Sequence, residues 1–175
     1  MKPVFFDIDT QIDFMFPAGA LYVPGAERLV PIIAQLNHSA EIVVSTMCAH
    51  TGNDPEFRQW PPHCIVGTTG QLKPQSTTRA SGQIILEKQK FDLFSNPNLP
   101  KLLGELAADE YVVYGVVTEY CVKLAALGLL KTGKPVTLVT DAIQSLRAED
   151  GESTIQAFTA AGGKLATSSK LLPMR

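Results

Sequence analysis

The chain has 175 residues, of which 45% are hydrophobic and 18% charged, and its formal net charge is -2. That is enough apolar material for one sizeable core and too much for a disordered chain. A balance so close to neutral offers no broad attraction to a phosphate backbone or an anionic membrane. Nucleic acid and membrane are therefore not expected partners, a small molecule is, and residues 1–175 are read as a single domain. No apolar stretch approaches the roughly 18 residues of a membrane-crossing helix. Asp7, Asp9 and Asp13 interrupt the apolar start that would otherwise resemble an export signal. Three cysteines without CxxC spacing make neither a disulfide framework nor a standard zinc knuckle, and they fit a reducing, cytoplasmic setting.

Residues 3–9 are nearly all apolar and end in a carboxylate, the pattern of a strand covered on both faces in a parallel sheet. In residues 25–38, Ala26, Leu29, Val30, Ile33, Ala34 and Leu36 recur at helical spacing, and Pro31 implies a kink or a later start. Residues 41–46 (EIVVST) return to strand composition, which completes one crossover unit. Residues 47–78 show neither period, and a loop of that length inside a compact domain is usually functional. Residues 83–87 (QIILE), 111–115 (YVVYG), 135–140 (PVTLVT) and 164–167 are further strands. Helices are predicted around 100–108, 119–132 and 149–161, with helix-ending glycines at Gly133 and at Gly162 and Gly163. The alternation predicts an α/β fold with three layers, αβα, around a doubly wound, mainly parallel sheet of about six strands.

In such a sheet ligands bind beyond the carboxyl ends of the strands. Asp9 ends the first strand, Cys48 and His50 follow the second, Lys88 follows the third, and Cys121 lies a short turn past YVVYG where a helix begins. A helix N-terminus favours a thiolate, and a nearby cation would lower a thiol pKa from about 8.5. On position alone, Cys121 fits a nucleophile and a buried packing residue equally well. Asp9 can accept a thiol proton and return it to a leaving amine, or act as a loop hydrogen-bond acceptor, the reading preferred for Asp13. Lys88 and Lys90 are not distinguished by position. Asp7-Ile8-Asp9-Thr10 also resembles the DxDxT start of haloacid-dehalogenase-type phosphatases, with Asp7 as nucleophile and Mg2+ as cofactor. Gln11 departs from that motif, and Asp141 stands alone where an acidic pair belongs.

The segments Asp9-Thr10-Gln11-Ile12-Asp13-Phe14, Trp60-Pro61-Pro62-His63-Cys64 with Gly67, Thr68 and Gly70, Lys88 with Phe91 and Phe94, and residues 115–122 (GVVTEYCV) together resemble the isochorismatase-like cysteine hydrolases, with nicotinamidases the nearest branch in pattern. The resemblance runs in order along nearly the whole chain. It implies a triad of Cys121 as nucleophile, Asp9 as base and then acid, and Lys88 as the cation, since Lys88 has the family's spacing to Phe94. It also implies a cis peptide between Val116 and Val117 and an oxyanion hole formed by the amides of Val117 and Cys121. Phe14 and Trp60 match positions that sandwich a flat substrate ring, and Tyr120 would line the same pocket. Relatives hold a divalent metal through an Asp-x-His pair and two later histidines. Here those positions read Cys48, His50, Glu56 and His63, a set chemically suited to zinc or, equally, the remnant of a lost site. The reaction implied is amide hydrolysis through a thioester with release of ammonia. Isochorismate and carbamoyl compounds are the alternative substrates on the same fold, and the family implies a homo-oligomer.

Overall fold

The computed structural model describes residues 2–172. Its strands are β1 (Pro3–Ile8), β2 (Ile42–Cys48), β3 (Gln83–Lys88), β4 (Glu110–Val116), β5 (Val136–Gln144) and β6 (Lys164–Ala166). Its α-helices are α1 (Ile12–Met15), α2 (Val30–Ser39), α3 (Leu99–Leu106), α4 (Lys123–Leu130) and α5 (Ala148–Ala160). The strands form one sheet in the order β3-β2-β1-β4-β5-β6, every pairing parallel. The chain winds outward from β1 to β3, returns to β4 and then winds the other way. The reversal beside β1 is where such sheets open a crevice.

Alternation along β1 builds both outer layers. Val4, Phe6 and Ile8 face one side, where they pack with Val44, Leu86 and Val113 under α3 and α4, through Leu99, Ala125 and Leu129. Phe5 faces the other side, with Val43, Val112 and Tyr114 under Ile33 and Leu36 of α2. Most of these side chains are fully buried, and each contributes about 1.5–3 kcal/mol by leaving water. No helix among the described residues is long and apolar enough to cross a membrane.

The predicted elements differ from the observed ones at their ends. Pro31 lies in the first turn of α2, which starts late, after a 3-10 turn at Ala26–Leu29. Proline lacks only an N–H that the first turn leaves unpaired anyway. Strand β2 runs on to Cys48, which is therefore inside the strand and not after it. The predicted helix at 119–132 begins as α only at Lys123, because Thr118–Val122 winds as a π-helical turn. Helix α1 has only four residues, too few to show a period.

Two features set the crevice. Gly115 has a φ of +120°, and a Cβ there would collide with the backbone of Ile8, so only glycine lets β4 close on β1 at their ends. Asp7 faces away from the crevice in a buried polar network. It accepts from Thr10 Oγ1 at 2.6 Å, Asn37 Nδ2 at 3.0 Å and Ser45 Oγ at 3.1 Å, and pairs with Lys73 Nζ at 3.2 Å. An aspartate so engaged has no free oxygen for attack, so the phosphatase reading loses its nucleophile.

Candidate active site

Past Ile8 the chain turns sharply at Asp9, whose φ is +48°, a region that aspartate tolerates better than most residues. Thr46 of β2 holds it there. The Asp9 amide donates to Thr46 Oγ1 at 3.1 Å, and the Thr46 hydroxyl donates to Asp9 Oδ1 at 2.6 Å. Lys88 closes β3 in register with Cys48. Its Nζ lies 2.7 Å from Asp9 Oδ2, 3.0 Å from the Lys90 carbonyl, 3.4 Å from Cys48 Sγ and 3.6 Å from Cys121 Sγ. Asp9, Lys88 and Cys121 are thus brought together, at 1%, 4% and 6% exposure. Of the two lysines left open by position, Lys88 joins this group and Lys90 is exposed to solvent.

Burial alone would raise the Asp9 pKa, but the Lys88 ammonium, helped by Thr46, holds it below the usual carboxylate range. Burial likewise opposes the charge on Lys88, and the Asp9 carboxylate outweighs it, so the ammonium persists well above its usual pKa. Among the described residues Asp9 Oδ2 accepts no directed hydrogen bond. Its contact with Lys88 is a charge pair, which leaves a lone pair for a proton. The Cys48 and Cys121 thiols titrate as a couple. Against its burial, the neighbouring Cys121 thiol and the Lys88 ammonium bring the Cys48 thiol down to about 6, whereas Cys48 and burial hold the Cys121 thiol well above its usual range.

Cys121 sits in the π-helical turn, a distortion frequent at functional sites. Glu119 ties that turn to the loop after β5, accepting from the amides of Leu146 at 2.9 Å and Arg147 at 3.3 Å. The peptide between Val116 and Val117 is cis.

His50, Glu56 and His63 place ligand atoms within 4.8 Å of one another. Each ring is fixed through Nδ1, by Asp54 Oδ2 at 2.9 Å for His50 and by the Pro61 carbonyl at 2.8 Å for His63. This leaves both Nε2 atoms free, with His63 Nε2 3.6 Å from Glu56 Oε1, the outer-shell arrangement common around metal-binding histidines. His50 Nε2 is buried and, among the described residues, has no hydrogen-bond partner. Burial opposes a charge on His50, but Cys48 and Asp54 raise its pKa to about 9, so the site attracts positive charge. Burial lowers the pKa of His63, keeping it neutral and able to coordinate. Two nitrogens and a carboxylate fit a divalent cation such as zinc.

Cys48 does not join that group as predicted. After Cys48 the chain leaves the sheet, and His50 bridges instead to Ile65, with its amide bonded to the Cys64 carbonyl at 3.1 Å. Cys48 keeps the strand's alternation and shares the side of Thr46, facing Lys88.

A narrow cleft joins these groups, lined by Asp9, Cys48, Glu56, His63, Val117 and Cys121. Phe14, Trp60 and Tyr120 also line it, with Phe91 beside them. Trp60 meets Tyr120 edge-on at 5.8 Å between ring centroids, and Phe14 lies 5.3 Å from His63. The residues missed in the sequence act through others: Thr46 on Asp9, Asp54 on His50, and Gln11. Gln11 accepts from the Cys48 amide at 2.7 Å and donates to its carbonyl at 2.8 Å. Only Gln11, inside the Asp9–Phe14 segment, carried a signal.

The family model for the isochorismatase domain matches residues 3–170. Nicotinamidase of Escherichia coli strain K12 is 26% identical over 91% of this chain and 92% of its own. The crystal structure of pyrazinamidase of Pyrococcus horikoshii in complex with zinc superposes with a TM-score of 0.88 at 28% identity, covering 95% of this chain and 99% of that one. PnC1 from L. infantum in complex with nicotinate gives a TM-score of 0.89 at 25% identity, over 95% and 93% of the two chains.

Proposed function

Since the chain belongs to the isochorismatase family, we propose that it is a cysteine-dependent amidohydrolase that removes ammonia from a flat heteroaromatic carboxamide, nicotinamide first among them. One observation carries this reading: the Lys88 ammonium lies 2.7 Å from Asp9 Oδ2 and 3.6 Å from Cys121 Sγ. A nucleophile, a proton carrier and a fixed cation are what amide hydrolysis through a covalent intermediate requires.

The thiol of Cys121 gives its proton to Asp9 Oδ2, and Lys88 stabilises the thiolate. The sulfur attacks the amide carbon, and the amides of Val117 and Cys121 receive the oxyanion. Asp9 returns the proton to the nitrogen, which leaves as ammonia and gives a thioester. Asp9 then takes a proton from water, and hydroxide attack releases the acid and restores the thiol. Phe14, Trp60 and Tyr120 hold the ring by its faces and edges. His50, Glu56 and His63 would hold a divalent ion, which when bound supplies a Lewis acid for a ring nitrogen. The three cysteines are free thiols, in keeping with a reducing cytoplasm.

The test is ammonia release from a panel of amides, nicotinamide included, by the wild type and by Cys121→Ala. Turnover should vanish in a variant that keeps its far-UV circular dichroism. Substantial hydrolysis by folded Cys121→Ala would overturn the assignment.

A further inference from the structure

Cys48 has no part in the chemistry just described, yet its position is distinctive. Its Sγ lies 3.4 Å from the same Nζ that stands 3.6 Å from Cys121 Sγ. That ammonium pairs in charge with Asp9 Oδ2 at 2.7 Å and donates to the Lys90 carbonyl at 3.0 Å, so both sulfurs draw on the hydrogens that remain. Both cysteines line the cleft, so a small reagent reaching one reaches the other. Cys64 differs: it is fully buried, absent from the cleft lining, and its thiol points to the Gly70 carbonyl. Cys48 and Cys121 are not bonded to each other.

We propose that Cys48 is a resolving thiol for Cys121, so that oxidation of the site by a hydroperoxide ends in a reversible Cys48–Cys121 disulfide. The Cys121 thiolate attacks the nearer peroxide oxygen, the O–O bond breaks, and Cys121 becomes a sulfenic acid as hydroxide leaves. The Cys48 sulfur then attacks Cys121 Sγ, its proton and the sulfenic hydroxyl leave as water, and the S–S bond closes. Two thiols lose two electrons and the peroxide gains them. Closing the sulfurs to about 2.05 Å turns both side chains off the shared ammonium. The π-helical turn around Cys121 holds one residue more than an α turn, which provides slack for that movement. Oxidation occupies the nucleophile and stops turnover. Without Cys48, the sulfenic acid advances to sulfinic acid, which a thiol reductant does not reverse.

The experiment exposes native protein to hydrogen peroxide and follows intact mass, non-reducing peptide maps and ammonia release before and after dithiothreitol. The wild type should lose about 2 Da, show a peptide pair joining residues 48 and 121, and regain its activity on reduction. Cys48→Ser, compared with its own untreated rate, should gain about 32 Da on Cys121 and stay inactive, while Cys64→Ser should behave as the wild type. A wild type that passes directly to the heavier species, or a Cys48→Ser enzyme that recovers as fully as the wild type, would overturn the proposal. If Cys48→Ser does not fold, the wild-type mass and peptide map decide the question alone. Those readouts need no substrate, so they fail or succeed independently of the amidase reading on which the activity readout rests.

Discussion

Thr46 grips Asp9 twice: its hydroxyl donates to Asp9 Oδ1 at 2.6 Å, and its oxygen accepts from the Asp9 amide at 3.1 Å. A neutral side chain one strand away thus sets the backbone and the carboxylate orientation of the proton carrier. Thr46→Val keeps the shape and removes both bonds, leaving a buried amide unsatisfied at about 1–3 kcal/mol. It should lower kcat at least about tenfold with KM nearly unchanged, measured by steady-state ammonia release, because Thr46 is absent from the cleft lining. Loss confined to KM would contradict a positioning role.

The Asp9–Lys88 pair should also govern stability against pH. The folded pKa of Asp9 is lowered, so its contribution is present above the unfolded value near about 4 and is lost as pH falls through the folded value. The folded pKa of Lys88 is raised, so its contribution is present below the unfolded value near about 10.4 and is lost as pH rises through the folded value. Urea denaturation should therefore show a plateau between these limits. Lys88→Met leaves a buried carboxylate uncompensated and should cost about 3–5 kcal/mol on that plateau, together with turnover.

For the His50, Glu56 and His63 group, protein dialysed against Zn2+ should retain about one equivalent by elemental analysis and melt at a higher temperature than chelator-treated protein. His63→Ala should lose both effects. Asp54→Ala, which frees the His50 ring, should weaken zinc binding by about 10–100-fold. Metal-free wild type after loading would remove the site.

Asp7 offers a contrast between two neighbouring carboxylates. Asp7→Ala breaks a network that pins residues 73–77 to the sheet through Lys73 at 3.2 Å and through Asn37, which donates to the Thr77 carbonyl at 2.7 Å. It should lower the melting temperature strongly, at about 3–5 kcal/mol, while the folded fraction keeps its amidase kcat. A variant that stays stable and loses turnover would return Asp7 to the chemistry.

What the sequence made legible follows from where chemistry and periodicity coincide. Asp9, Lys88 and Cys121 each follow an apolar run, so the rule that ligands gather at strand ends places all three. The family pattern then separates Lys88 from Lys90, which position alone leaves level. Cys48 is the instructive miss. The strand reads as ending at Thr46 because polar Ser45 and Thr46 look like its boundary, yet their hydroxyls satisfy Asp7 and Asp9 inside the sheet, and β2 continues to Cys48. Two extra residues of alternation bring the thiol to 3.4 Å from Lys88 Nζ. Thr46 and Asp54 escape notice for a related reason: each acts on another side chain, and nothing in composition marks such a partner.

Strand β3 is the outermost member of the sheet on its side, bonded to β2 alone. The ammonium of Lys88 is therefore supplied by an edge strand, held from one side only. Local opening there would remove the cation from Asp9 and Cys121 while β1 and β4 stay paired. Denaturant should accordingly silence the enzyme at concentrations where most of its helix signal survives.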